Sequence, residues 1–207
     1  MKFPFSIKTV NGFTEFRIKE KGSLFIGMSF PVNNEAETME ELFRIKKKYY
    51  DATHNCYAYK LTDGTIKYSD DGEPNGTAGI RILNAINHFE LNNILVIVTR
   101  YFGGIKLGVG PLGKTYYDTA FQCLEHSIIS TKKLYNKIII SYSYDASNIV
   151  HRNISKYNAV IEKNLFNEIP QIECLIPEDA KEKFINEINS NIHSQIKIHE
   201  TDFFTYL

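Results

Sequence analysis

The chain has 207 residues, which is the length of one mid-sized domain followed by a small one. Hydrophobic residues make up 43% and charged residues 23%, a balance that excludes the fibrous and intrinsically disordered classes. The 24 basic and 24 acidic residues cancel, so no overall charge draws the chain to nucleic acid or to an anionic membrane, and any such binding needs a local patch.

The cysteines and the N-terminus indicate the cellular compartment. Cys56, Cys123 and Cys174 lie far apart, and an odd count without a C-x-x-C pair favours neither a disulfide framework nor a zinc site. The N-terminus lacks the apolar core of a signal peptide, and no later segment reaches the roughly 18 apolar residues of a membrane span. We therefore expect a cytoplasmic protein without a membrane partner.

In the first part of the chain, hydrophobic periodicity predicts alternating hairpins and helices. The predicted elements are strands at 13–19 and 24–30, a helix at 36–50, strands at 54–61 and 62–70, a helix that Thr77 caps and that ends near 88 or 89, a strand at 94–102 and a helix at 114–126. The strand at 94–102 is continuously apolar and β-branched, which is typical of a central strand covered on both faces by helices.

After a predicted connection at 131–133, the second part reads as βαββαβ. The elements are a strand at 136–144, a helix at 146–157, strands at 159–166 and 171–177, a helix at 178–192 and a strand at 194–204. This order predicts a ferredoxin-like sandwich, in which two helices cover one face of a four-stranded antiparallel sheet. The expected fold class is α+β, with domains at 1–133 and 134–207.

A glycine-rich segment contains a literal match to the phosphate-binding loop, from Gly108 through Gly113, Lys114 and Thr115. In that motif the loop leaves a buried strand directly, whereas residues 103–107 intervene here. No large parallel sheet follows that could hold a magnesium-binding aspartate. We therefore expect a loop whose glycines supply positive φ or allow close approach of backbone, and not a nucleotide-hydrolysing site.

Two predicted helix starts rich in backbone amides, at 76–79 and after the glycine loop, flank the strand at 94–102, and such starts suit phosphate or carboxylate. An arginine beside an aromatic ring on that strand would add anion binding and base stacking. The alternative is a salt bridge from the arginine to the acidic loop. The candidate residues are Thr77, Arg100, Tyr101, Gly103, Gly104, Lys106 and Lys114.

The acidic loop contains Asp70, Asp71 and Glu73, which could hold a hard cation such as magnesium. Acidic residues in a Gly/Pro turn more often cap amides or pair with bases, so we predict no metal. His54 and Cys56 would share one strand face as base and nucleophile, but nothing orients them, so we expect a structural Cys56 and a His54 that lines the site. We predict no catalytic residue and no cofactor.

Three segments together carry a family resemblance: ATHNCYAY at 52–59, YSDDGEPNGTAG at 68–79 and VTRYFGGIKLGVGPLGKTY at 98–116. They resemble the N-terminal domain of the Impact family over most of 10–130, and the later half looks like the small C-terminal domain of the bacterial YigZ-like branch. The resemblance implies a first domain like domain 2 of ribosomal protein S5. It implies a second domain like domain V of elongation factor G.

The chain departs from the family pattern in two places. GPLGKTY stands at 110–116 where the family usually has GGLVRAY, which makes the phosphate-loop match a local substitution. AGIRIL stands at 78–83 in place of AGRPIL, so the arginine moves to Arg81.

The resemblance implies a non-enzymatic, translation-linked regulator or binding protein that contacts RNA or a ribosome-associated protein through the glycine-rich, basic groove. No DNA sequence readout is expected. The alternatives are a phosphotransfer or nucleotide-binding enzyme that uses the glycine loop, and a module that only binds protein.

Overall fold

A computed structural model describes residues 3–190 and 195–207. The chain forms two compact units, of which the first is Ile7–Thr131 and the second contains Lys132–Leu207. Within the described ranges the fold is α+β, with five α-helices and two antiparallel sheets. No helix in these ranges is both long and apolar enough to cross a membrane.

The first part of the chain alternates strands and helices as predicted, with one additional strand at its start. In chain order the elements are β1 (Ser6–Val10), β2 (Thr14–Glu20), β3 (Ser23–Pro31), α1 (Glu35–Lys48), β4 (His54–Lys60), β5 (Ile66–Ser69), α2 (Gly79–His88), β6 (Ile94–Tyr101) and α3 (Val109–Glu125). The strand order is β2-β3-β6-β4-β5, and every neighbouring pair is antiparallel. The β6 strand is therefore central, as its apolar run predicts.

Helices cover both faces of this sheet. Val96 and Val98 of β6 join the core beneath α2 and α3, whereas Leu95 and Ile97 join the core beneath α1. This alternation follows from the two-residue period of a strand. The predicted two-sided burial of the central strand is confirmed, and the end of β6 places Arg100 on the side of α2 and α3.

The predicted starts of α3 and β7 are wrong. Helix α3 begins at Val109 and not at Lys114, because Pro111 falls in the first turn, where a backbone N–H has no intrahelical partner to lose. The segment 131–133 is strand and not a connection, since β7 begins at Ile129. Polar residues alternate with partly buried ones along that segment, so it lacks the apolar signal of a core strand.

The second unit follows the predicted order of elements. They are β7 (Ile129–Tyr142), α4 (Ser147–Lys156), β8 (Val160–Leu165), β9 (Gln171–Pro177), α5 (Glu178–Asn189) and β10 (Ile196–Tyr206). Residues 192 and 194, where the last predicted helix ends and the last predicted strand begins, lie outside the described residues. The β7 strand lies between β9 and β10, and β8 pairs with β9.

Candidate functional site

The acidic loop between β5 and α2 is organised by Asp70. Its carboxylate accepts hydrogen bonds from the backbone N–H groups of Gly76, Ala78 and Gly79 at 2.9, 2.9 and 2.8 Å. A charged acceptor at a helix start satisfies the unpaired amides and complements the helix dipole. The N–H groups of Ala78 and Gly79 at the start of α2 are thus already occupied and are not available to a ligand.

The prediction that Thr77 caps α2 is wrong. Its hydroxyl donates to the carbonyl of Pro74 at 2.6 Å, and α2 begins one residue later than a Thr77 cap requires, with Ala78 as its N-cap. Asp70 replaces the threonine because an ionised carboxylate accepts several N–H groups at once, whereas a single hydroxyl accepts fewer.

Asp71 ties the same loop to its neighbours. Its carboxylate accepts from the Lys46 ammonium at 2.8 Å and from the backbone N–H of Asn55 at 2.7 Å. Among the described residues no group of three or more His, Cys, Asp or Glu side chains is arranged to hold a metal ion. The loop carboxylates serve as caps and ion pairs, which is the structural use that the sequence favours.

Arg100 and Glu73 form a buried ion pair. Arg100 Nη1 donates to Glu73 Oε1 at 2.6 Å, and the two side chains are only 6% and 4% exposed. The Tyr116 hydroxyl donates to the same carboxylate oxygen at 2.7 Å. The guanidinium also lies 5.2 Å from the ring centre of Phe25. Arg100 therefore forms a salt bridge with the acidic loop, which was the alternative to anion binding, and its side chain is not exposed to solvent.

Arg100 and Tyr101 do not form a joint site. Successive side chains of a strand point to opposite faces, and the Tyr101 hydroxyl donates to Asp51 at 2.7 Å on the face that packs against α1. This hydrogen bond raises the pKa of Tyr101 to about 12. The aromatic ring near Arg100 is instead Phe102, whose ring centre lies 5.4 Å from the guanidinium. Sequence reasoning missed Phe102, although strand alternation places it on the face of Arg100.

The glycines after β6 permit close packing of backbone. A Cβ on Gly103 would lie 1.9 Å from the carbonyl carbon of Gly22, at the turn between β2 and β3. The N–H of Gly103 donates to Ser23 Oγ at 3.1 Å. Gly104 has φ +87°, in the left-handed region that favours glycine. Both glycines are thus required by the chain's own packing and turn geometry.

A cavity of about 400 Å³ lies between this loop and the acidic loop, and we call it the glycine-loop cavity. It is lined by His54, Glu73, Arg100, Phe102, Lys106, Leu107 and the start of α3. The structure thus brings together the candidate residues His54, Glu73, Arg100 and Lys106. Thr77, Tyr101 and Lys114 are not part of its lining.

His54 lines the glycine-loop cavity. Its Nδ1 lies 2.8 Å from the carbonyl oxygen of Asp71, which fixes the ring orientation. Its Nε2 lies 3.8 Å from Glu73 Oε2, longer than a hydrogen bond.

Cys56 is a structural residue. It is fully buried, its Sγ donates to the carbonyl of Asp70 at 3.0 Å, and burial raises the pKa of the thiol to about 12. A thiol that stays protonated near neutral pH is a poor nucleophile, because the thiolate is the reactive form.

Lys114 lies away from the glycine-loop cavity. It is exposed on α3 and pairs with Asp118 one turn later, which raises the pKa of the lysine. Because α3 starts at Val109, Gly113 belongs to the helix and not to a loop that could wrap a phosphate. The geometry agrees with the interpretation of the phosphate-loop motif as a chance match.

These features define a class: an α+β protein of two units, with a buried Arg–Glu pair and a cavity beneath a glycine loop. The chain belongs to the Impact family, since the Impact N-terminal domain matches residues 21–124. IMPACT family member YvyE of Bacillus subtilis is 31% identical over 202 residues, which cover 93% of each chain. IMPACT family member YigZ of Escherichia coli is 33% identical over 108 residues, covering 50% of this chain and 53% of YigZ.

A solved structure has the same overall fold. It is described as the crystal structure of an hypothetical protein, and it matches with a TM-score of 0.72 at 21% identity, covering 96% of this chain and 98% of that one. The family resemblance that the sequence motifs indicate is confirmed by the match to the Impact N-terminal domain.

Proposed function

We propose that this protein is a cytoplasmic, translation-linked binding protein that contacts single-stranded RNA through its glycine loop. The observation that carries the proposal is the glycine-loop surface, defined by the exposed side chains of Phe102, Ile105, Lys106 and Val109. Exposed aromatic and basic side chains side by side are what a binding site for single-stranded nucleic acid requires.

Phe102 supplies the stacking face. Its side chain is 45% exposed although it lies beside the buried guanidinium of Arg100. The N–H of Phe102 donates to Thr53 Oγ1 at 3.0 Å, which fixes the backbone that carries the ring. An aromatic ring held in this way loses little conformational freedom when a base stacks on it.

Lys106 supplies the charge for an RNA phosphate. Arg100 cannot serve this purpose, because its charge is compensated by Glu73 inside the protein. The chain has no net charge, so a single local lysine implies modest affinity that weakens with salt.

The arrangement of the second unit supports a translation-linked role by analogy. Its strand order β10-β7-β9-β8 is antiparallel throughout, and α4 and α5 pack into one core with β7 and β9. We infer that it is a ferredoxin-like domain similar to domain V of elongation factor G, and that the first unit is similar to domain 2 of ribosomal protein S5. Both comparisons are analogies of fold, so the function depends on the site itself.

The test is fluorescence anisotropy with a labelled single-stranded RNA, measured as a function of salt. Phe102→Leu keeps an apolar contact for Arg100 but removes the aromatic face, and we expect at least fivefold weaker binding, because one stacked base contributes about 1–3 kcal/mol. Lys106→Ala should reduce the slope of log K against log salt by about 0.7, the value for one phosphate contact on a single strand.

Lys47→Ala is the matched control, because Lys47 is exposed on α1, which covers the opposite face of the sheet. Equal losses in Lys47→Ala and Lys106→Ala would refute the assignment of this surface. Absence of RNA binding by the wild-type protein would instead favour a module that binds only protein. Tight binding of ATP with magnesium that is lost in Lys114→Ala would favour an enzyme.

A further inference from the structure

Helix α1 has a second apolar stripe, on the side that faces away from its own sheet. Leu42 and Ile45 are buried beneath the helix. Ala36, Met39 and Phe43 lie on another side and are all exposed, Phe43 to 71%. A helix that only covers a sheet needs one apolar stripe, with polar residues on the opposite side. The core of the first unit therefore does not explain the second stripe.

The second stripe is continuous along the helix. Residues three and four apart on a helix are neighbours, so Met39 lies between Ala36 and Phe43. Tyr50, which follows the C-cap residue Tyr49, is 85% exposed at the end of the same helix. We call Ala36, Met39, Phe43 and Tyr50 the outer stripe of α1. Single exposed apolar residues are normal, but contiguous ones mark interaction surfaces.

Charged residues of opposite sign lie at the two ends of the outer stripe. Glu40 is exposed before Phe43, and Lys47 is exposed after it. The helix dipole accounts for the acidic residues of the first turn and the basic residues of the last turn, but Glu40 lies beyond the first turn. Among residues 3–190 and 195–207, neither Glu40 nor Lys47 has an ion-pair partner. Both charges are therefore available to a partner.

This order of charges fits a second copy of the same helix in the antiparallel direction. When Phe43 lies beside its counterpart, a residue before it meets one that is equally far after it. Glu40 then lies close to Lys47 of the partner copy, and the small Ala36 lies opposite the large Tyr50. A parallel pair would instead place Glu40 beside Glu40 and Lys47 beside Lys47, and like charges at such positions repel each other.

We propose that two copies of this protein pair through the outer stripes of α1, antiparallel and related by a twofold axis at Phe43. Such an interface is self-complementary, since each copy supplies both an acidic and a basic end. Helix α1 has 14 residues, so the contact is only roughly 21 Å long. Small interfaces hold transient complexes, and we expect a dissociation constant of roughly 10–100 µM. The proposal does not depend on RNA binding, because it uses no residue of the glycine-loop surface.

The first test is analytical ultracentrifugation of the full-length protein at concentrations on both sides of that constant. Phe43→Ser removes the central ring, and we expect roughly tenfold weaker association, because central aromatic residues dominate interfaces. Phe166→Ser is the matched control, since Phe166 is also 71% exposed but lies in the second unit. The proposal is overturned if the wild-type protein stays monomeric throughout, or if the two variants weaken association equally.

The second test reverses charges to establish the orientation of the pair. Glu40→Lys places two lysines together and Lys47→Glu places two glutamates together, so each single variant should associate more weakly than wild type. The double variant Glu40→Lys/Lys47→Glu should recover most of the wild-type association. Glu40 and Lys47 are too far apart on one helix to contact each other, so the recovery arises between copies. A double variant as weak as the single variants would rule out the antiparallel pair.

Discussion

The buried Arg100–Glu73 pair leads to a strong prediction about stability. Glu73→Ala would leave the Arg100 guanidinium, 6% exposed, without a counter-ion and would remove the acceptor of the Tyr116 hydroxyl. Breaking a buried pair by removing one partner costs about 3–5 kcal/mol, since the remaining charge stays out of water. We therefore expect the first unit to lose roughly that much free energy of unfolding.

Hydrogen exchange of the β6 amides is the appropriate assay, because it reports on the first unit by itself. Glu73→Gln keeps an acceptor for Tyr116 and should lose less than Glu73→Ala. The double variant Glu73→Leu/Arg100→Leu leaves no charge buried, so it should lose less than the sum of the two single leucine variants.

An exposed pair provides the control for this experiment. Lys8 and Glu90 are 2.9 Å apart, but their side chains are 52% and 76% exposed, so Lys8→Ala should leave the exchange of β6 unchanged. The reasoning is refuted if Glu73→Ala costs less than about 1 kcal/mol, well below the range for a broken buried pair. It is equally refuted if the double leucine variant loses the full sum of the single variants.

Three further predictions follow from the same unit. Asp70→Ala should cost about 1–3 kcal/mol in urea unfolding, because three backbone N–H groups lose their charged acceptor, and a variant as stable as wild type would contradict this role. Gly103→Ala should cost about 2–3 kcal/mol, since its Cβ would meet backbone at 1.9 Å, whereas Gly110→Ala, whose Cβ meets nothing within 4 Å, should be neutral within about 0.5 kcal/mol. Burial raises the pKa of Cys123 from near 9 to about 12, so the stability it contributes is complete below pH 9 and is lost as pH rises toward 12. Cys123→Ala should therefore reduce the fall of the free energy of unfolding above pH 9 by about 1.4 kcal/mol per pH unit, and an unchanged slope would contradict this.

The elements with strong hydrophobic periodicity could be predicted from sequence. The apolar run of β6 and the stripe of Leu42 and Ile45 on α1 each reflect direct burial in a core. The start of β7 could not be predicted, because Lys132 and Lys133 interrupt the apolar pattern there. The start of α3 was missed because glycine and proline usually end helices, although the first turn tolerates both.

The sequence indicated the two loops that line the cavity, but it did not predict their contacts. The glycine loop and the acidic loop line the same cavity, as the sequence indicated. Whether Arg100 faces solvent or pairs with Glu73 could not be predicted, because the two residues are 27 positions apart in sequence. Local propensity favoured Thr77 as the cap of α2. In the folded chain the backbone N–H groups of Ala78 and Gly79 are instead capped by Asp70, which lies several residues before the helix in sequence. Both contacts depend on which charged groups are buried together in the folded chain, and local sequence does not show this.

The glycine run differs from a phosphate-binding loop in where its helix begins. In a phosphate-binding loop the glycines precede the helix and the lysine follows them at its first turn. Here the helix has already begun at Val109, and Gly113 lies inside it. The unpaired N–H groups of this helix are therefore those of Val109 and Gly110 in its first turn, whereas the N–H groups of Gly113 and Lys114 lie within the helix, so the lysine does not follow a loop that could wrap a phosphate.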